Sequence, residues 1–312
     1  MTDSYSLSRR ACLLSIGSLL GGGLAGCAVT GGGVREVPPP SPLPAPAMRP
    51  PRIGLALGGG AARGFAHVGV IGVLEQQGIR PDLVVGTSAG SLVAALYASG
   101  KNHVELEKVA AGMDETVLAD WSLPFANRGM LRGQALARYV NQQVNGRLIE
   151  QMPIPLGIVA TDLRNGDGVL FRRGDTGTAV RASSAVPGVF QPVDISGRDY
   201  VDGGLVAPVP VRYCLEMGAE LVIAVDISSP PESGMTTDSL KVMLQTFSIM
   251  GQSINRHELK SAHVVVRPAL AGVGSAAFSE RQRSIAAGRE AMQAALPALK
   301  AQMIQRAVPV TR

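Results

Sequence analysis

The sequence predicts an α/β fold with a mostly parallel central sheet covered by helices on both faces. Three observations carry that expectation. The strand candidates are short, continuously apolar runs rather than alternating ones, the pattern of strands buried on both faces. Segments of helical period separate them. Glycine-rich turns close the first two strands, and 38 Gly with 21 Pro suit a chain of many tight connections.

In chain order, Ile53–Leu57 is the first strand and runs into Gly58-Gly59-Gly60. Phe65 to Gln77 carries apolar residues at helical spacing and stops at Gly78. Leu83-Val84-Val85 is the second strand, and Leu92 to Tyr97 lies in the helix that follows it. Asn102–Gln151 is helical and more polar, either a cap over a site or ordinary scaffold. Leu156–Ala160, Leu221–Val225 and Val264–Val266 supply further buried-type strands. Long helical patterns cover Ser239–Leu259 and Glu280–Gln305. These elements predict one domain over residues 52–312. With 46% hydrophobic and 17% charged residues in a chain of 312, a sizeable core is available.

The residues ahead of that domain are of another kind. Arg9-Arg10 precede an apolar run, Ala11–Leu20, that is too short and too rich in glycine to span a membrane well. Leu24-Ala25-Gly26-Cys27 then resembles a bacterial lipobox, so residues 1–26 are expected to be a lipoprotein signal peptide and Cys27 a lipidated residue. Ser8–Leu14 also resembles a twin-arginine export signal. Residues 27–51, dense in proline from Val37 onward, predict an extended tether. The expected location is the bacterial cell envelope, through a lipid anchor; Ala28 points to the outer membrane, facing the periplasm. Cys12 leaves with the leader and Cys27 is lipidated, so Cys214 would be the remaining thiol, with no internal disulfide. Aromatic content of 4% and a mild net charge of +5 speak against a nucleic-acid reader.

Three motifs carry chemistry. Gly86-Thr87-Ser88-Ala89-Gly90, at a strand-to-helix junction, reads as a nucleophile elbow in which Gly86 and Gly90 permit a sharp turn and Ser88 is the nucleophile. Gly58-Gly59-Gly60-Ala61-Ala62-Arg63-Gly64 exposes a row of backbone N–H groups, so Gly58, Gly59, Gly60 and Ala61 are candidate donors to an oxyanion. A dinucleotide fingerprint fails because Arg63 stands where its third glycine belongs, and a phosphate loop fails for want of its Gly-Lys-Ser/Thr ending. Arg63 either fixes the loop through backbone carbonyls or lies on the surface. Asp202-Gly203-Gly204 follows the charge-poor stretch Ala182–Pro192, an unusual setting for an acid. No metal-ligand cluster and no cofactor motif is present.

As a set, Gly58–Gly64, Gly86–Gly90 and Asp202-Gly203-Gly204, with Ala182–Pro187 as a fourth landmark, resemble the patatin-like phospholipases, in particular their bacterial branch. The resemblance spans Arg52 to about Pro268. It implies a three-layer α/β/α fold, a Ser88–Asp202 dyad and lipid acyl-ester substrates. For a carboxylate with an ordinary pKa of about 3.9 to serve as the base, desolvation must raise its basicity. Two alternatives stay open. His67, one turn into the first helix, lies nearest the presumed site, whereas His103 opens a polar helix. His257 and His263 follow Asp202, the chain order of an α/β-hydrolase esterase with a His-containing triad. A catalytically vestigial envelope lipoprotein with a binding or regulatory role is the other alternative.

Overall fold

A computed structural model describes residues 47–113, 129–228, 238–274 and 277–310. The expected signal peptide, Cys27 and most of the tether lie outside the described residues. Strands β1 (Met48–Arg49) and β2 (Ile53–Leu57) precede helix α1 (Phe65–Gln76), β3 (Leu83–Thr87), α2 (Ala89–Ala98) and α3 (His103–Ala111). Next come β4 (Gly129–Leu131), α4 (Gln134–Gln143), β5 (Leu156–Asp162), β6 (Gly168–Phe171) and α5 (Thr176–Ser183). Then follow β7 (Gly188–Phe190), β8 (Val193–Ile195), β9 (Arg198–Asp202), α6 (Val211–Glu216) and β10 (Leu221–Val225). The last elements are α7 (Ser239–Glu258), β11 (Val264–Val266), α8 (Arg281–Gln305) and β12 (Val308–Pro309).

Eight strands form one mixed sheet in the order β11-β10-β2-β3-β5-β9-β8, with β6 also paired to β5. The five strands from β11 to β5 are mutually parallel. They are the apolar runs expected from the sequence, and their side chains divide by period two between two cores. Ile53, Leu55 and Leu57 of β2 and Leu221, Ile223 and Val225 of β10 face a large core shared with α1, α2, α4 and α8. Ala56, Val222 and Ala224 face a smaller core under α6, built on Val209, Tyr213, Cys214 and Met217. Helices thus cover both faces, giving the expected three layers. The described residues fall in one compact unit, Pro46–Arg312. The α1–α8 crossing is closest at Gly69 and Gly288, where an added Cβ would come within 2.0 Å of the Ile285 carbonyl and 1.9 Å of the Ala66 carbonyl.

The antiparallel part of the sheet decides where the chemistry sits. Thr87 of β3 is opposite Val159 of β5, and Asp202 of β9 is opposite Ala160. Strand β6 overlaps both stretches by pairing with Ile158–Thr161, and so holds the other edge of β5. Strands β3 and β9 therefore occupy successive stretches of one edge and run toward each other. Their ends, Thr87-Ser88 and Asp202-Gly203, meet head to head.

Candidate active site

Ser88 lies between β3 and α2 in a left-handed conformation, φ 52° and ψ −124°. Such a backbone costs a non-glycine residue about 1–3 kcal/mol and persists only where the surroundings impose it. Here they do. A Cβ on Gly90 would stand 2.1 Å from the Leu57 carbonyl oxygen, and one on Gly86 would stand 2.4 Å from the Gly90 oxygen. The turn is therefore clamped against the end of β2. The Ser88 N–H donates to Ser183 Oγ at 2.9 Å, and Ser183 Oγ donates to the Val159 carbonyl at 2.6 Å. The Ser88 carbonyl accepts from Ser91 Oγ at 2.6 Å. Thr87 Oγ1 donates to the Ala207 carbonyl at 2.9 Å.

Asp202 is brought in by β9 and is 7% exposed. Its N–H donates to the Ala185 carbonyl at 3.0 Å, and its own carbonyl accepts from Thr161 Oγ1 at 2.8 Å. One carboxyl oxygen accepts the Gly204 N–H at 2.6 Å, capping the 3-10 turn Gly203–Leu205. The Ser88 side chain is the other polar group that acts on this carboxyl. Gly203 is required by the head-to-head junction, since a Cβ there would be 2.2 Å from the Val159 oxygen and 3.2 Å from Thr87 Cγ2. Burial pushes the Asp202 carboxyl up to about 6, with the Gly204 N–H and the Ser88 side chain pulling in the opposite direction. A carboxylate so placed accepts a proton near neutral pH far more readily than one in water.

The glycine-rich loop enters from β2, and an added Cβ on Gly59 would lie 3.2 Å from Ser88 Cβ. The expected row of donors is shorter than the sequence suggested. The Gly58 N–H is taken by the Val225 carbonyl at 3.1 Å and the Gly59 N–H by the Pro208 carbonyl at 2.9 Å. These two glycines fasten the loop to neighbouring segments rather than offering donors to a ligand. Among the described residues, the Gly60 and Ala61 N–H groups donate to no protein acceptor. Ala61 is also left-handed, φ 51°, and opens the 3-10 turn Ala61–Gly64. Arg63 Nε donates to the Gly60 carbonyl at 3.2 Å. Gly64 packs on the elbow, where an added Cβ would lie 2.9 Å from Ala89 Cβ.

Ser88 and Ala61 face a common apolar cavity of about 150 Å³, walled by Phe65, Leu92, Met113, Leu136 and Phe190 among others. Leu106, Val109, Ala110 and Leu136 bring parts of the 102–151 region to this wall, although residues 114–128 of that region lie outside the described ones. The histidines are elsewhere occupied. His67 is fully buried and its Nε2 donates to the Gly58 carbonyl at 2.8 Å. Desolvation lowers it to about 4, so it is a neutral prop under the loop. His103 pairs with Glu75 at 2.6 Å. His257 turns back to the Ser253 carbonyl on exposed helix surface. His263 Nδ1 accepts from the Val222 N–H, at the start of β10. That is the opposite end of the parallel strands from Ser88, roughly 15 Å away at about 3.3 Å per residue. Neither late histidine can complete a triad with Ser88. Among the described residues, no three His, Cys, Asp or Glu side chains cluster as a metal site. Ser183 is the contact that motif reading missed; it lies in the Ala182–Pro187 landmark, where nothing marked its hydroxyl.

Residues 55–215 match the patatin-like phospholipase family. The chain belongs to the patatin-like phospholipase family. An uncharacterized NTE family protein of Mycobacterium bovis is 36% identical over 203 residues, covering 65% of this chain and 56% of that protein. A patatin-like phospholipase domain-containing protein of Caenorhabditis elegans is 34% identical over 223 residues, covering 67% of this chain and 16% of its own length. The chain thus spans about half, or much less, of the curated relatives it matches. The crystal structure of VipD from Legionella pneumophila superposes with a TM-score of 0.55 at 16% identity, over 80% of this chain and 68% of that one. That likeness bears on the fold.

Proposed function

We propose that this protein is a serine acyl-ester hydrolase acting on lipid acyl esters, with Ser88 as nucleophile and Asp202 as its base. The observation that carries the reading is the buried Asp202 carboxyl, brought to Ser88 where β3 and β9 meet head to head. As Ser88 Oγ attacks the ester carbonyl, Asp202 accepts its proton, and the Gly60 and Ala61 N–H groups stabilise the negative oxygen. Collapse of that intermediate passes the proton to the leaving alcohol. Water then attacks the acyl-serine with Asp202 again as base, releasing a carboxylic acid and restoring Ser88. The chemistry needs no metal or cofactor. The apolar cavity above Ser88 and the family to which the chain belongs support a lipid acyl group as substrate.

Attachment to the cell envelope through lipid on Cys27 is part of the same proposal; among the described residues no helix is long and apolar enough to cross a membrane. Replacing Ser88 by Ala is expected to abolish turnover of a p-nitrophenyl acyl ester with the melting temperature retained. Turnover at the parent rate would refute the assignment.

A further inference from the structure

Helix α7 stands at the rim of this site and carries a surface that the hydrolytic reaction does not use. Of its 20 residues, Asn255 is the buried one. Val242, Ile249 and Met250 are 47%, 53% and 46% exposed. Val242, Ile249 and Arg256 follow at intervals of seven, two helical turns each, and so lie along one side. The exposed charges beside that stripe are mainly basic, Lys241, Arg256 and, just past the helix end, Lys260, against one exposed acid, Asp238, at the N-cap. The helix's acid, Glu258, is turned away, with its side chain 8% exposed and held by Arg212 at 3.2 Å. Arg256, Lys260 and Arg267 also line a polar cleft of about 400 Å³ at the C-terminal end of α7. Asp226 in that cleft is matched by Arg267 at 3.3 Å.

The helix is tied to the candidate site at two points. Met243 packs against Gly188, where an added Cβ would meet its Cε at 2.3 Å. Gly188 lies between Val186 and Phe190, both in the wall of the Ser88 cavity. Farther along, Gly251 lies against Pro208, whose carbonyl fastens Gly59. An apolar stripe flanked by cations is the composition that partitions into the headgroup region of an anionic bilayer, with apolar side chains entering and cations meeting phosphates.

We propose that the outer face of α7 seats the protein on an anionic lipid surface and brings the Ser88 cavity to its substrate there. The inference rests on the reading of the protein as a lipid hydrolase, and the two fail separately. The full chain carrying Ile249→Trp is mixed with phosphatidylglycerol vesicles whose acyl chains are brominated; the parent, with its one Trp, supplies the background. The introduced indole should blue-shift and be quenched at least twofold beyond the parent, and far less on phosphatidylcholine. Vesicle-bound protein whose introduced indole stays open to acrylamide and unquenched by bromine overturns the proposal, as does absence of binding.

Adding Ser88→Ala should leave the quenching intact. Docking without turnover by the parent would therefore sink the hydrolase reading alone, and turnover of a soluble p-nitrophenyl ester without docking would sink this one alone. A second variant, V242S/I249S/M250S, should hydrolyse vesicle phosphatidylglycerol at least tenfold more slowly while its soluble-ester rate stays at the parent's; unchanged vesicle turnover overturns the proposal.

Discussion

Replacing Asp202 by Asn is expected to abolish activity and to stabilise the protein at neutral pH. Burial lifts this carboxyl from its ordinary 3.8 to about 6. Between those two values the folded protein holds the proton more tightly than the unfolded chain does. Stability is therefore highest below about pH 4, falls as pH rises through the window, and stays lowered above about 6. At about 1.4 kcal/mol per pH unit, the rise corresponds to a cost of about 3 kcal/mol for keeping the carboxylate charged in the folded state. An Asn carries no charge there. Its oxygen can keep the Gly204 N–H bond now made at 2.6 Å, and its amide can donate to Ser88 Oγ. For a domain of this size, about 3 kcal/mol translates into roughly 6–12 °C of melting temperature.

Scanning calorimetry of both proteins at pH 4, 6 and 8 should show that gain at pH 8 and near-parity at pH 4. Ester turnover should fall at least about 100-fold, the usual contribution of a positioned base. A variant no more stable than the parent at pH 8 would refute the reasoning, and so would an equal advantage at pH 4.

Other expectations follow from the same geometry. The kcat/KM of ester hydrolysis should rise with unit slope through about pH 6, where Asp202 ionises, and level off above it; a profile flat from pH 5 to 8 would place the base elsewhere. Ser183→Ala removes the hydroxyl that joins the Ser88 N–H to the Val159 carbonyl. It should cost about 1–3 kcal/mol in urea denaturation and lower kcat roughly tenfold by loosening the elbow. Unaltered kinetics would mean that the elbow is held by other contacts. Gly90→Ala should lose about 3 kcal/mol, because its Cβ would overlap the Leu57 carbonyl at 2.1 Å; a variant melting with the parent would contradict that clamp.

The parallel half of the fold was legible because its strands are buried on both faces and must be apolar throughout, as in Leu221–Val225. The antiparallel half was not. Strands β6, β8 and β9 are three to five residues long and half-exposed in part, so Val193-Asp194-Ile195 leaves no periodic signal above turn composition. Ser88 was legible because a local turn makes it, with both clamping glycines within two residues. Asp202 could be named but not placed, since its position depends on pairing with Ala160, forty-two residues away. The loop shows the limit of motif reading most clearly. Gly58 and Gly59 look like free donors in sequence, yet their N–H groups go to Val225 and Pro208, brought in by strand order and by the turn before α6. The late histidines misled for a related reason. Chain order suggested a triad, and parallel strand direction put His263 at the wrong end of the sheet.

The proposed hydrolysis depends most on Ser88 being an activated nucleophile in the folded protein. Treating the native chain with a fluorophosphonate and mapping the adduct by peptide mass spectrometry tests this directly. A single adduct on Ser88 is expected, made slowly or not at all after Asp202→Asn and absent after urea unfolding. No adduct on the folded chain, or an adduct on a different serine, would contradict it.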